Sequence, residues 1–436
     1  VLTAFARAFR TPDLRKKLLF TLGIIVVFRA GSVLPGPFVS TKTIHACLDQ
    51  TKDSSLYSLV NLFSGGALLQ LSVFALGIMP FITSSIIIQL LTVVIPRLES
   101  LKKEGSAGEA KLTQYTRYLT VVLGLLQATG IVALARSGKL FSGISATGAC
   151  QPDALIGANP SLFHICVLVV TLVSGTAVIM WLGELITSKG IGNGMSLLIF
   201  SSIAARLPSQ GGSILQSAGG LVFAAVCLLG LLIVVLVIFL EQAQRRIPVQ
   251  YAKRMIGRRM YGGTSTYIPI KVNQAGVIPV IFASSLLQLP QLLSQVWTNK
   301  GFTSFYNRFF ARGDHPAYLA GYFLLILAFT YFYVAITFNT QDLSDNMKKY
   351  GGFIPGIRPG NPTREYLDRI LTRITLPGAI YLGIIAVAPL ALLGLTKGQQ
   401  FPFGGTAVLI LVGVGLEFTK QVESQLMLRN YEGFLR

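Results

Sequence analysis

Long apolar runs alternate with short polar or basic stretches along the whole chain. A helix that spans a bilayer needs about 20 mostly apolar residues. Runs of that kind predict helices at 18–34, 74–95, 115–135, 162–186, 191–207, 219–240, 274–297, 317–338, 374–395 and 404–420. They are continuously apolar, unlike the alternating strands of a membrane barrel. Helices then remain as the way to satisfy backbone groups in lipid. The expected fold is an all-α membrane protein with ten transmembrane helices. The fifth run is short, and the first contains Arg29.

One apolar stretch, Asn61–Ser72, is too short to span and is interrupted by Gly65 and Gly66. Irregular backbone at membrane depth is tolerated only inside protein or beside a water-filled cavity. The stretch is expected to be either a movable re-entrant stopper or a half-helix lying on the outer surface.

The pattern also repeats. Gly77, Pro80, Ile82, Ser85, Gln89 and Leu90 recur as Gly276, Pro279, Ile281, Ser284, Gln288 and Leu289, all at one offset of 199. A weaker match joins Gly194–Ile199 to Gly405–Ile410. Run two thus matches seven, and five matches ten. Five is odd, so the second half must enter the membrane in the opposite sense. The expectation is two inverted five-helix halves, 1–210 and 211–436, around a central path. Ile78 and Ile82 share one helix face, as do Met195 and Ile199. Through the repeat, Ile281 and Ile410 join them as an apolar ring of the kind that gates by dewetting. Ordinary helix packing is the alternative for each stripe taken alone. Thr83, Ser84, Ser85 and Gln89, with Ser284, Ser285 and Gln288, form a polar stripe. It suits either bonds between helices or a seam that parts toward lipid.

Charge sets the orientation. Of 436 residues, 52% are hydrophobic and 12% charged, yet the net charge is +20. Twenty-seven of the 37 Lys and Arg fall at the termini and in loops on one face, nine on the other, and Arg29 lies in a run. The positive-inside rule places the richer face, with both termini, in the cytoplasm. The first run lacks a convincing cleavage site and is expected to be a retained span. The loop 241–273 carries Arg245, Arg246, Lys253, Arg254, Arg258, Arg259 and Lys271. The loop 339–373 contains Ile354-Pro-Gly-Ile-Arg358-Pro-Gly360. Such charge suits anionic lipid or a partner bearing nucleic acid. The Pro and Gly residues favour a shaped surface on which a macromolecule docks.

Candidate chemistry is sparse. His45, His164 and His315 are scattered, with no metalloprotease or serine-hydrolase motif. Gly190-Ile-Gly-Asn-Gly194 lacks the Lys-Ser/Thr of a phosphate loop and is expected to be a flexible helix start. No catalytic residue, metal site or cofactor is expected. Glu184 and Glu417 sit near cytoplasmic ends of their runs, and few carboxylates lie at the midplane. That disfavours an ion-coupled secondary transporter, the main rival with an inverted repeat. Cys166 and Cys227 are expected as small apolar filler, whereas Cys47 and Cys150 share the outer face and could pair if it is oxidising.

Several stretches, in order along the chain, resemble the SecY family, the central subunit of the protein-translocation channel. They are Phe74-Ala-Leu-Gly-Ile-Met-Pro80, Ser85-Ile-Ile-Ile-Gln-Leu-Leu91, Lys103-Glu-Gly105, Gln114-Tyr-Thr-Arg117 and Gly190-Ile-Gly-Asn-Gly194. Arg245-Arg-Ile247, Tyr251-Ala-Lys-Arg254, Gly276-Val-Ile-Pro279, Ile354–Gly360 and Phe403-Gly-Gly405 continue the series. The resemblance implies a pore for unfolded chains, leading across the bacterial cytoplasmic membrane or sideways into lipid. It implies a pore ring at Ile78, Ile82, Met195, Ile199, Ile281 and Ile410, with Met195 in place of the commoner isoleucine. It implies a plug at Phe63, Ser64, Gly65, Gly66, Ala67 and Leu68, and a lateral gate between runs 2–3 and 7–8. Arg358 and Tyr431 match positions that family members use with the SecA motor. Arg258 and Arg259 match the loop offered to ribosome and motor. SecE is the implied obligate partner and SecG a further one. The implied substrates are unfolded preproteins with their signal sequences.

Overall fold

The computed structural model describes residues 9–41, 43–44, 66–68, 70–136, 161–251, 254–256, 259–261, 265–296, 301, 315–395 and 405–432. Within them the helices are α1 (Pro12–Val33), α2 (Met79–Val94), α3 (Pro96–Lys103), α4 (Ser106–Arg136), α5 (Leu162–Lys189) and α6 (Gly194–Ala204). They continue as α7 (Leu207–Gln242), α8 (Ile278–Val296), α9 (Pro316–Thr337), α10 (Thr340–Lys349), α11 (Asn361–Leu395) and α12 (Gly405–Glu432). Each predicted run holds a helix. Those in α4, α5, α7, α9 and α11 are by themselves long and apolar enough to cross a membrane. The other five runs hold α1, α2, α6, α8 and α12.

Three boundaries differ from the periodic pattern. The second run begins as a chain of turns, and α2 starts only at Met79. Proline at 96 then bends the chain by 101° between α2 and α3, because proline disfavours the α conformation of the residue before it. α7 begins well before its predicted run and breaks at Gly219, where φ is +83°.

The helices pack as two groups. α1, α2, α4, α5 and α6 contact one another, and so do α7, α8, α9, α11 and α12. Contacts of α6 with α12, and of α8 with α2 and α4, join the groups. Outward faces stay apolar: Leu221, Leu228, Leu231 and Phe239 of α7 are all exposed, as a lipid-facing surface requires.

The same joint occurs once in each group. The Val73 amide donates to the Leu34 carbonyl at 2.9 Å, just past α1, and the Val272 amide donates to Ala243 at 3.0 Å, just past α7. One residue earlier, Ser72 bridges Pro35 and Lys271 pairs with Gln244. Gly77 and Gly276 then turn the chain with φ +56° and +61°, a region that glycine enters without penalty. α2 and α8 begin at Met79 and Ile278, again 199 positions apart. A third pair of helices shares the relation. A Cβ on Gly175 of α5 would overlap the Val73 carbonyl, and one on Gly378 of α11 would overlap that of Val272. The absence of a side chain lets each helix lie directly on backbone.

The joint opens into different structures. After α1 it leads toward the stretch 61–72. After α7 it becomes an antiparallel hairpin of β1 (Gln244–Tyr251) and β4 (Ser265–Lys271), with β2 (Arg254–Ile256) and β3 (Arg259–Tyr261) paired near its tip. Alternate positions Ile247, Val249 and Ile270 are buried and their neighbours exposed, the period of a half-buried sheet. β5 (Gly352–Phe353) adds to β1 through Gln250↔Phe353 and Tyr251↔Gly352.

Candidate functional site

Ile78, Ile199 and Ile410 are 2%, 5% and 1% exposed and belong to one apolar cluster, against which Ile82, Met195 and Ile281 pack. They arrive from α2 and the residue before it, α6, α8 and α12, at the junction of the two groups. Val277 also packs there. It stands 199 positions after Ile78, so the repeat itself marks it, although periodicity on one helix does not. α6 is held in place by tight local bonding. Asn193 Oδ1 accepts from the Met195 and Ser196 amides at 3.1 and 3.3 Å, and the Gly194 amide donates to Thr187 Oγ1 at 2.9 Å. Gly192 has φ +92°, and a Cβ at Gly194 would overlap the Gly183 carbonyl. The glycine-rich stretch expected to be flexible is therefore a fixed turn that seats Met195 and Ile199.

Of the stretch 61–72, Asn61 to Gly65 and Leu69 lie outside the described residues, so Phe63, Ser64 and Gly65 do too. Gly66, Ala67, Leu68, Gln70 and Leu71 are turns rather than helix, and Ser72 forms the bridge to Pro35. Ala67, Leu71 and Ser72 are fully buried and Leu68 is 3% exposed, while Gly66 and Gln70 are half-buried. The Gly36 amide donates to Leu71 O at 2.9 Å and Ser72 to Ala67 O at 3.1 Å. The half-helix on the outer surface is thus not what this part adopts. It is irregular backbone enclosed by protein.

The polar stripe lies on α2 and α8, and α8 contacts α2 and α4. Its hydroxyls bond their own helices. Thr83 Oγ1 donates to Met79 O at 3.0 Å, Ser84 to Pro80 O at 2.7 Å, and Ser284 and Ser285 both to Ile281 O at 2.8 Å. Ser85 is half-buried and Gln89 exposed. The Gln288 side chain lies outside the described residues. Each of those four hydroxyls donates its proton within its own helix and not to a neighbouring one.

The two basic loops, separate in sequence, form one platform. Ile247, Val249 and Ile270 of the hairpin share a buried core with Met347, Ile354, Leu367 and Leu371 of the second loop and its flanking helix. Arg245, Arg246, Lys271 and Arg358 are exposed. The Arg246 guanidinium lies 4.9 Å over the Tyr267 ring. Arg254 faces Tyr261, and Arg259 faces Ile256, in strand register. Lys253, Arg258 and the Tyr431 side chain lie outside the described residues. The Arg358 turn is rigidly shaped: Gly356 and Gly360 have φ +83° and +101°, Ser344 Oγ donates to Gly360 O at 2.7 Å, and Thr363 Oγ1 to Arg358 O at 2.8 Å. Nearby, Lys103 pairs with Glu99 at 2.7 Å and holds its carboxyl below the ordinary carboxylate range.

Sequence reasoning passed over Asn273, which is 3% exposed. Its Nδ2 donates to Glu241 Oε2 at 2.8 Å and to Gly276 O at 3.2 Å, tying the end of α7 to the turn that starts α8. Glu184 accepts two bonds from Arg117 across α4 and α5. Cys166 and Cys227 lie exposed on outward helix faces rather than filling the interior. Cys47 and Cys150 lie outside the described residues.

The SecY family profile matches residues 72–419. The chain belongs to the SecY family. It is 62% identical over 443 residues to the protein translocase subunit SecY of Streptomyces galbus, covering 100% of both chains. A solved structure of a protein-conducting channel superimposes with a TM-score of 0.62 at 17% identity, covering 94% of this chain and 91% of that one. Sec61 in the canine ribosome–channel complex gives 0.59 at 17% identity, with the same coverage. The SecY fold is therefore present, in a multi-pass membrane protein. Its function is that of a protein translocase subunit, neither an enzyme nor a secondary transporter.

Proposed function

We propose that this SecY-family chain passes unfolded secretory polypeptides through a pore closed by Ile78, Ile82, Met195, Ile199, Ile281 and Ile410. The observation that carries the reading is the meeting of these six side chains, from distant segments, in one apolar cluster between the helix groups. A narrow apolar ring excludes ions by dewetting yet can yield to an extended chain. The stretch around Phe63–Leu68 is the plug on its outer side. The contact of α8 with α2 and α4 is the seam through which membrane segments leave for lipid. Own-helix bonding of the four hydroxyls on α2 and α8 supports the role, since none of those bonds crosses between helices.

The halves 1–210 and 211–436 are inverted repeats. Their support is the doubled joint at Val73 and Val272, with its two left-handed glycines. Both termini and the basic platform face the cytoplasm of a bacterial cell. Arg245, Arg246, Lys253, Arg254, Arg258, Arg259, Arg358 and Tyr431 receive the SecA motor or the ribosome, in part through ribosomal RNA phosphates. SecE and SecG complete the complex, and anionic lipid surrounds its basic rim. Reconstitution with SecE, SecA, ATP and a secretory precursor tests the proposal. The expected result is precursor protected from protease inside the vesicles; exposed precursor under conditions that support a related translocase would sink it.

A further inference from the structure

A cavity of about 390 Å³ opens where two spans meet the platform. The end of α9 supplies Tyr331 and Phe338 to its wall, and α11 supplies Asp368, Thr372 and Thr375. Both helices are long and apolar enough to cross a membrane. The apolar run of α9 stops at Phe338 and that of α11 starts at Ile374, so the cavity lies at the level where lipid gives way to water. Tyrosine suits that depth, and the volume suits a small organic group. Asp368 is the only charged side chain among the lining residues. Its Oδ1 accepts from Thr340 Oγ1 at 2.7 Å, which fixes the carboxylate. Arg364 Nε stands 3.7 Å from Oδ2, too far for a hydrogen bond. An ionised carboxylate accepts about four bonds, so Oδ2 is open to a further donor. The surroundings are basic, with Arg364, Arg369 and Arg373 exposed on α11.

An apolar ridge leads away from this cavity into the membrane. Leu376, Ile380 and Ile384 follow Thr372 along α11 at the spacing of one helix face, and they are 48%, 38% and 55% exposed. A carboxylate with a guanidinium beside it complements a group that carries both an ammonium and a phosphate. Such a head over an apolar ridge describes a zwitterionic phospholipid. The ammonium of an ethanolamine head has N–H donors for Oδ2, whereas a choline head has none to give. A head group without an amine would set its negative charge against Asp368.

We propose that this cavity binds a phospholipid with a primary amine in its head group. Asp368 takes the ammonium, Arg364 the phosphate, and an acyl chain lies along Leu376, Ile380 and Ile384. The site does not depend on which side chains close the pore. The test titrates the purified complete complex in detergent with dioleoyl phosphatidylethanolamine or dioleoyl phosphatidylcholine and counts bound lipids by native mass spectrometry. A hydrogen bond between charged groups corresponds to about tenfold in affinity. The ethanolamine lipid should bind more tightly than the choline lipid by about that factor. Asp368→Asn should erase the margin. Glu365→Gln, which removes an exposed carboxylate of α11 outside the cavity lining, should keep it. Thr372→Phe, which fills the cavity from an exposed helix position, should erase the margin as well and stands in if Asp368→Asn folds poorly. Equal affinity for the two lipids in the parent overturns the proposal, and is the result expected if another subunit covers the cavity. A margin that survives both Asp368→Asn and Thr372→Phe overturns it too. Loss of the margin in Glu365→Gln would assign it to general surface charge and overturn the site. Phosphoethanolamine, the head group without chains, should fail to compete at millimolar concentration; full competition there overturns the lipid reading in favour of a soluble ligand.

Discussion

Arg117 and Glu184 form a two-pronged ion pair, Nε to Oε1 at 2.8 Å and Nη2 to Oε2 at 2.6 Å, between α4 and α5. The side chains are 49% and 28% exposed, so water screens much of the attraction. Planar two-point geometry still makes this a stronger pair than most at a surface. A double-mutant cycle on Arg117→Ala and Glu184→Gln should give a coupling of about 0.5–1 kcal/mol in denaturant unfolding, shrinking with salt. A coupling of zero at low salt would show that the pair orients nothing.

Glycine is required where helices lie on backbone. Gly175→Ala and Gly378→Ala should each destabilise the protein by about 1–3 kcal/mol, because a carbonyl cannot step aside as a side-chain tip can. Gly23→Ala provides the contrast. It has nothing within 4 Å of its Cβ position and should stabilise α1 by roughly 0.5–1 kcal/mol. Thermal unfolding of the three variants in detergent decides the matter.

The seal should depend on apolar character more than on volume. Ile82→Ser with Ile281→Ser should raise resting conductance severalfold, while Ile82→Leu with Ile281→Leu keeps it low. Equal conductance for both doubles in planar bilayers would remove the ring from the mechanism.

Asn273 should be costly to lose. Asn273→Ala removes the amide that bonds Glu241 and the Gly276 carbonyl, at about 2 kcal/mol. Asn273→Asp keeps the shape but sets a second carboxylate against Glu241, and should be worse. Hydrogen exchange at the start of α8 should quicken in both variants, and unchanged exchange would contradict the tie.

On the platform, Arg246→Ala should weaken ribosome binding and lower the slope of log affinity against log salt by about 1. The outcome is read from binding titrations at several salt concentrations. An unchanged slope would mean that Arg246 serves Tyr267 rather than a phosphate.

Much of this was legible along the chain. Ten apolar runs became helices because apolar length is a local property, and the offset of 199 recurs in the starts of α2 and α8 at Met79 and Ile278. What periodicity could not show was the first part of run two. Val73–Ile78 is as apolar as any span, yet it folds as turns, because Gly77 reverses the backbone and Leu34 captures the Val73 amide. Asn273 was missed for a related reason. It is one polar residue beside a run, and its meaning lies in a partner 32 positions away.

By itself the sequence determined which segments are apolar enough to leave water, that Lys and Arg gather in a few loops, and that one motif recurs at an offset of 199. Transfer free energy and charge act residue by residue, and homologous motifs leave a constant offset. Only the tertiary structure decided that six apolar side chains from four helices share one cluster, that two basic loops fold into one sheet, and that a glycine-rich start is rigid. Those facts depend on close approach between segments far apart in the chain, where a missing Cβ or a single captured amide sets the geometry.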